Sequence, residues 1–186
     1  MGQYLAIGLT YKISTSLNEM KKEKIFKEEL RQGLEHDLLF DMNLYDETET
    51  DKRLLFTLNN QQLEKGLIPF LEAFYPVAYG KQNEKEYEAV LKKLHATPST
   101  QWLELAEEKS YCSFQYDPYA ESDYIRFSKP FHPSIRIDFD CIMLTTGHGK
   151  IVTEGIGNLM DIFKYCTIET FKEHPIVKSI QIYITG

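Results

Sequence analysis

Cysteine is scarce in this sequence: Cys112, Cys141 and Cys166 are the only three, an odd number with no Cys-x-x-Cys pair. Neither a disulfide framework nor a zinc knuckle is built that way, and a reducing cytoplasm is the expected compartment. The five histidines (His36, His95, His132, His148 and His174) show no His-x-His or His-x-x-x-His spacing. A metal site would have to be assembled from distant segments. No Gly-x-Ser-x-Gly occurs, so the sequence has no nucleophile elbow. No apolar run approaches the ~20 residues that a membrane-spanning helix needs, and no membrane association is expected. The first seven residues lack a positive region, unlike a signal peptide. Gly2 is followed at position 6 by Ala6 rather than Ser or Thr, so myristoylation is not expected either.

Positive charge is also short. Lys and Arg total 21 against 28 Asp and Glu, a net charge of −7. Nucleic-acid binding rests on phosphate neutralisation by a basic face, so no nucleic-acid partner is expected. The densest lysine stretch, Lys21-Lys22-Glu23-Lys24 with Lys27, is interleaved with Glu19, Glu28 and Glu29 and reads as a solvated, salt-bridged helix face. An acidic chain suits a protein partner with a basic surface.

Phosphate-binding loops are missing as well. Thr145-Thr146-Gly147-His148-Gly149-Lys150 fails the required pattern at both ends, with Leu144 and Ile151 where Gly and Ser or Thr should stand. Gly155-x-Gly157 lies between a predicted strand and a predicted helix, but Met160 replaces the third glycine of a dinucleotide fingerprint. Turn and helix-entry glycines account for both stretches, and no cofactor is expected.

What is present is an ordinary globular balance of 42% hydrophobic and 26% charged residues in a chain of 186. That is enough to bury a core in one domain spanning residues 1–186. Alternation at Leu5, Ile7, Leu9, Tyr11 and Ile13 predicts a strand with one buried face. Ser16-Leu17-Asn18-Glu19 resembles a capping box and predicts a helix to about Leu34, with Phe26, Leu30 and Leu34 along its apolar stripe. Leu38, Phe40, Met42 and Leu44 alternate, and with Arg53–Leu58 they predict a hairpin. A helix from Asn60 to about Phe74 should be kinked or interrupted by Pro69. Further helices are predicted over Glu84–His95 and from Pro98-Ser99 onward.

Strands are then predicted over Tyr111–Tyr116, Tyr124–Phe127 and, most clearly, Ser134–Leu144. A turn at Thr146–Gly149, a short strand at Lys150–Thr153, a helix over Asn158–Glu173 and a strand over Ile176–Thr185 follow. Within the single domain the chain divides into a strand-helix-hairpin (1–60), a helical middle (61–109) and strands plus a helix (110–186). Segregated strands and helices predict an α+β fold: a mixed, mainly antiparallel sheet with helices packed on it.

Three clusters are candidates for function. Asp138-x-Asp140 places two carboxylates on one strand face, where they could share a divalent cation; they are the only metal candidates, and Arg136 on the same face is an alternative partner. The glycine-rich segment is the second. The third is aromatic and acidic, with Tyr116, Tyr119 and Tyr124 interleaved with Asp117 and Asp123. Core packing explains about half of such a strand-borne cluster. Tyrosines on Pro- and Asp-containing loops also build contact surfaces, and Tyr119 is expected on an exposed loop. The expected function is therefore non-catalytic: a cytoplasmic binding protein, inhibitor- or immunity-like, that meets a basic partner through this surface. The alternative is a small metal-assisted hydrolase or transferase using Asp138 and Asp140.

Overall fold

The elements, in chain order, are β1 (Tyr4–Ser16), α1 (Leu17–Lys22), α2 (Lys27–His36), β2 (Tyr45–Glu49), β3 (Arg53–Leu58), α3 (Asn60–Tyr79), α4 (Glu84–Ala96) and α5 (Trp102–Glu107). After them come β4 (Gln115–Asp117), β5 (Asp123–Arg126), β6 (Ser134–Thr146), α6 (Ile156–Thr170) and β7 (Ile180–Thr185). They belong to a computed structural model that describes residues 4–108, 114–117, 123–126, 134–146 and 156–185.

Two 13-residue strands, β1 and β6, pair at the centre. Each has its outer edge divided between two shorter strands. On β1, β3 takes residues 12–16 and β7 takes residues 4–9. On β6, β4 takes residues 141–143 and β5 takes residues 134–137. Strand β2 extends the sheet beyond β3. Every pairing among the described residues is antiparallel, so the α+β expectation holds while the sheet is not mixed.

Residues directly opposite in an antiparallel pair share a face. Leu9 and Ile142 face one side, Thr10 and Cys141 the other, and all four are buried. The middle of the sheet is thus covered on both faces. One step along β6, Asp138 and Asp140 lie on the Leu9–Ile142 face, opposite Ser14 and Lys12. There that face becomes polar.

Several predicted elements are reshaped by the structure. The predicted Ser16–Leu34 helix is two helices, with Ser16 capping the first by accepting from the Glu19 N–H. Lys24 adopts φ 54°, while the Ile25 and Lys24 N–H groups donate to the Met20 and Lys21 carbonyls at 2.9 and 3.3 Å. That pair of bonds is a Schellman stop, with Ile25 and Met20 both buried beneath it. The segment Leu38–Leu44 is not a strand. Leu39 is left-handed (φ 58°), and Met42–Leu44 forms a 3₁₀ turn capped by Asp41. Phe40, Met42 and Leu44 still point inward, so the alternation reported burial correctly and backbone wrongly. The hairpin survives as β2 and β3.

Pro69 does not interrupt α3, which runs on through Pro76 to Tyr79. The buried side chains Leu67, Phe70, Leu71, Phe74 and Tyr75 flank both prolines. Their packing outweighs the roughly 3 kcal/mol an interior proline costs. The last strand begins at Ile180 because Pro175–Ser179 forms a 3₁₀ turn. Between β1 and β6 the register shifts twice, at Leu144 of β6 and at Tyr11 of β1, and Ala6 and Thr10 are buried beside Leu9 and Ile13. The predicted turn beyond Thr146 and the strand at Lys150–Thr153 lie outside the described residues.

Candidate functional site

The carboxylates of Asp138 and Asp140 project from β6 onto the polar part of the sheet. Arg136 Nε donates to Asp138 Oδ1 at 2.9 Å, as the shared parity of the two positions allows. Arg53, reaching over β1 from β3, sets Nη2 2.5 Å from Asp138 Oδ2 and 2.7 Å from Ser14 Oγ. Lys12 Nζ is 2.6 Å from Asp140 Oδ2. Three cations on three strands thus hold the two carboxylates. Among the described residues, no three His, Cys, Asp or Glu side chains are grouped so as to hold a metal ion.

Tyr116 sits opposite Ile142 on β4 and is partly buried. Its ring meets Tyr11 edge-on, with centroids 6.4 Å apart. Tyr11 lies at the register shift between Thr10 and Lys12, within electrostatic reach of Asp140. Burial raises the Tyr11 phenol well above its ordinary range, and the charges of Asp140, Tyr116 and Glu107 push it further up. A neutral phenol is a hydrogen-bond donor, so this pair joins an aromatic contact to the Lys12–Asp140 ion pair. Phe114, just before Tyr116, is core.

The backbone places Asp117 opposite Cys141, Asp123 opposite Ile137 and Tyr124 opposite Arg136. Tyr116 and Tyr124 therefore both stand on strands along the outer edge of β6, the strand that bears Asp138 and Asp140. Tyr119 and the glycine-rich segment 147–155 lie outside the described residues.

Sequence reasoning missed Lys12, Arg53, Tyr11 and Glu107 at this site. The first three come from strands whose register fixes the contact, and register is not written in one strand alone. It missed a second feature altogether. Lys164 of α6 is only 6% exposed; its Nζ lies 3.8 Å from the Phe40 ring centroid and donates to the Leu38 carbonyl and, at 2.8 Å, to Gln181 Oε1. A lysine at the centre of an apolar helix is the signal that could have found it.

The chain matches no protein-family model, no curated protein and no solved structure. No helix among the described residues is long and apolar enough to cross a membrane.

Proposed function

We propose that this chain is a non-catalytic, cytoplasmic binding protein whose contact surface is built around Tyr116, with Asp117, Tyr119, Asp123 and Tyr124, and whose partner presents a basic surface. The observation that supports it most is the Tyr11–Tyr116 pair set beside Asp140 and Glu107. Such a pair offers a rigid, partly exposed aromatic anchor. Contact surfaces use tyrosine this way because it brings large area with few rotors and a polar tip. The net charge of −7 favours encounter with a basic partner. An inhibitor- or immunity-like role suits a chain of this kind. The ion pairs of Asp138 and Asp140 weigh against the hydrolase or transferase alternative, because a cation entering there must displace Arg53, Arg136 and Lys12.

The test uses the whole chain, wild type and Tyr116→Ala, as bait in extract of its own cells, followed by dissociation constants with the purified partner. The expected partner is basic, is weakened roughly 5- to 30-fold by the substitution, and is weakened further by salt. A partner whose affinity ignores both Tyr116 and salt overturns the reading.

A further inference from the structure

A groove of about 450 Å³ opens between the C-terminal end of α2, residues 39–43, α6 and the turn before β7. Leu39, Phe40 and Ile168 give it an apolar surface, and the Tyr165 ring, 58% exposed, stands beside them. Its walls are tied to the rest of the fold. The Asp41 N–H donates to the Lys178 carbonyl at 3.2 Å. Lys164 donates to the Leu38 carbonyl and to Gln181, with its Nζ 3.8 Å from the Phe40 ring centroid. Phe40 in turn stacks on Phe139 and meets Tyr45 edge-on, with centroids 5.7 and 6.2 Å away. A surface held in this way is pre-formed, as small-molecule sites are, and its volume falls in their range.

The charges along this groove differ from those around Asp138. There each carboxylate is engaged by a cation. Here the Asp41 carboxylate accepts from the Asn43 N–H and side-chain amide, both at 3.0 Å, and meets no cation. The side chains of Glu35, Glu169 and Lys178 make no hydrogen bond or ion pair among the described residues. Three carboxylates against one ammonium leave the groove negative. Leu39 reaches it from a left-handed backbone (φ 58°), which costs on the order of 1–3 kcal/mol in a residue other than glycine. Strain of that kind persists where surrounding contacts over-determine it, and it clusters at ligand sites.

We infer that this groove is a binding site for a small organic cation, an amine or guanidine carried on an aromatic or alkyl body. Glu35 and Glu169 receive the cation, Leu39, Phe40 and Ile168 receive the body, and the Tyr165 ring offers the charge a π face. An anion would face three carboxylates with Lys178 alone to balance them. A neutral hydrocarbon would desolvate those carboxylates and give them no partner. The site is separate from Tyr116. Phe40 packs on Phe139, which projects from the face of β6 opposite to Ile142, the residue across from Tyr116. The inference therefore stands whether or not Tyr116 binds a protein.

The experiment is a titration of the isotope-labelled full chain with phenethylammonium, followed through backbone amide shifts in two-dimensional NMR. Methylammonium, which lacks the body, and 3-phenylpropionate, which carries the opposite charge, are the comparison probes. Phenethylammonium should saturate with a Kd on the order of 1 mM and move amides within residues 35–43 and 165–169. The other two probes should bind about tenfold more weakly or worse. Glu35→Gln/Glu169→Gln should weaken phenethylammonium about tenfold, and Tyr165→Ala about threefold. Lys178→Gln removes the opposing charge and should not weaken it. Circular dichroism verifies that each variant folds, which substitutions at exposed or half-buried side chains allow. Four results would each overturn the inference: no saturation, equal binding of 3-phenylpropionate, shifts centred elsewhere on the chain, or an affinity unmoved in the double variant.

Discussion

Arg53 and Asp138 meet across a strand that lies between them, with Nη2 2.5 Å from Oδ2 while Arg136 takes the other carboxylate oxygen. The contact requires the β3–β1–β6 order and the register that sets Ser14 opposite both Leu55 and Asp138. Both side chains remain about a third or more exposed, so solvent screens the pair and its net worth is small. Asp138→Asn and Asp140→Asn together should cost under about 1 kcal/mol, read as a shift in the urea midpoint.

Phe139 projects to the opposite face of β6, where it stacks on Phe40 with centroids 5.7 Å apart and is 5% exposed. Phe139→Ala should cost about 3–5 kcal/mol, because the cavity it leaves is walled by the sheet and by Phe40. The ranking against the aspartate pair is what matters. A larger loss from the two asparagines would mean that the polar face carries the stability.

Tyr45 links pH to folding. Its hydroxyl donates to the Thr10 carbonyl at 2.8 Å, and full burial holds its phenol well above the ordinary value of 10.0. Tyr11 is raised in the same sense. In the unfolded chain both phenols release a proton near pH 10, while in the native state they keep it. The native state then binds more protons, so stability falls as pH rises above about 10 and is unaffected by these groups below it. The urea midpoint should drop over that range, and Tyr45→Phe should make the drop shallower. Absorbance at 295 nm should show both phenols ionising only on unfolding.

The turn between α1 and α2 should respond to substitution by becoming more stable. Lys24→Gly relieves the left-handed backbone, and Phe26→Ser supplies a side-chain cap for α2. Each should raise stability by about 0.5–1 kcal/mol in thermal or urea unfolding. A loss from either would mean that the interactions Lys24 and Phe26 already make outweigh the gain in the local backbone.

Much of the fold was legible where one period ruled. Ser134 to Met143 alternates without interruption, and β6 is what it predicts. Alternation misled where burial and backbone part company. Phe40, Met42 and Leu44 are buried around a left-handed Leu39 and a 3₁₀ turn, while Leu38 is only partly buried. On β1 Tyr11 stands at a register shift and meets Tyr116, a contact that local pattern cannot encode. The break at Lys24 was hidden because lysine stood where glycine would have announced a helix end, and α3 ran through Pro69 because tertiary packing outweighed propensity. At the site, Arg136 with Asp138 was readable from strand parity. Arg53 and Lys12 were not, since pairing across strands fixes their positions. On α6 two apolar stripes compete, and only the fold reveals that the one containing Lys164 turns inward.

Asp138 and Asp140 are the anionic partners of Arg53, Arg136 and Lys12, and we propose that they form no metal site. Isothermal titration calorimetry of the wild type and of Asp138→Asn/Asp140→Asn with Mg²⁺, Mn²⁺ and Zn²⁺ tests it most directly. Two carboxylates already engaged by cations give a hard metal too few oxygens, and Zn²⁺ prefers nitrogen and sulfur ligands. Neither protein should give a saturable heat. A stoichiometric heat in the wild type that vanishes in the double variant would contradict the account and make the metal-assisted enzyme the better description.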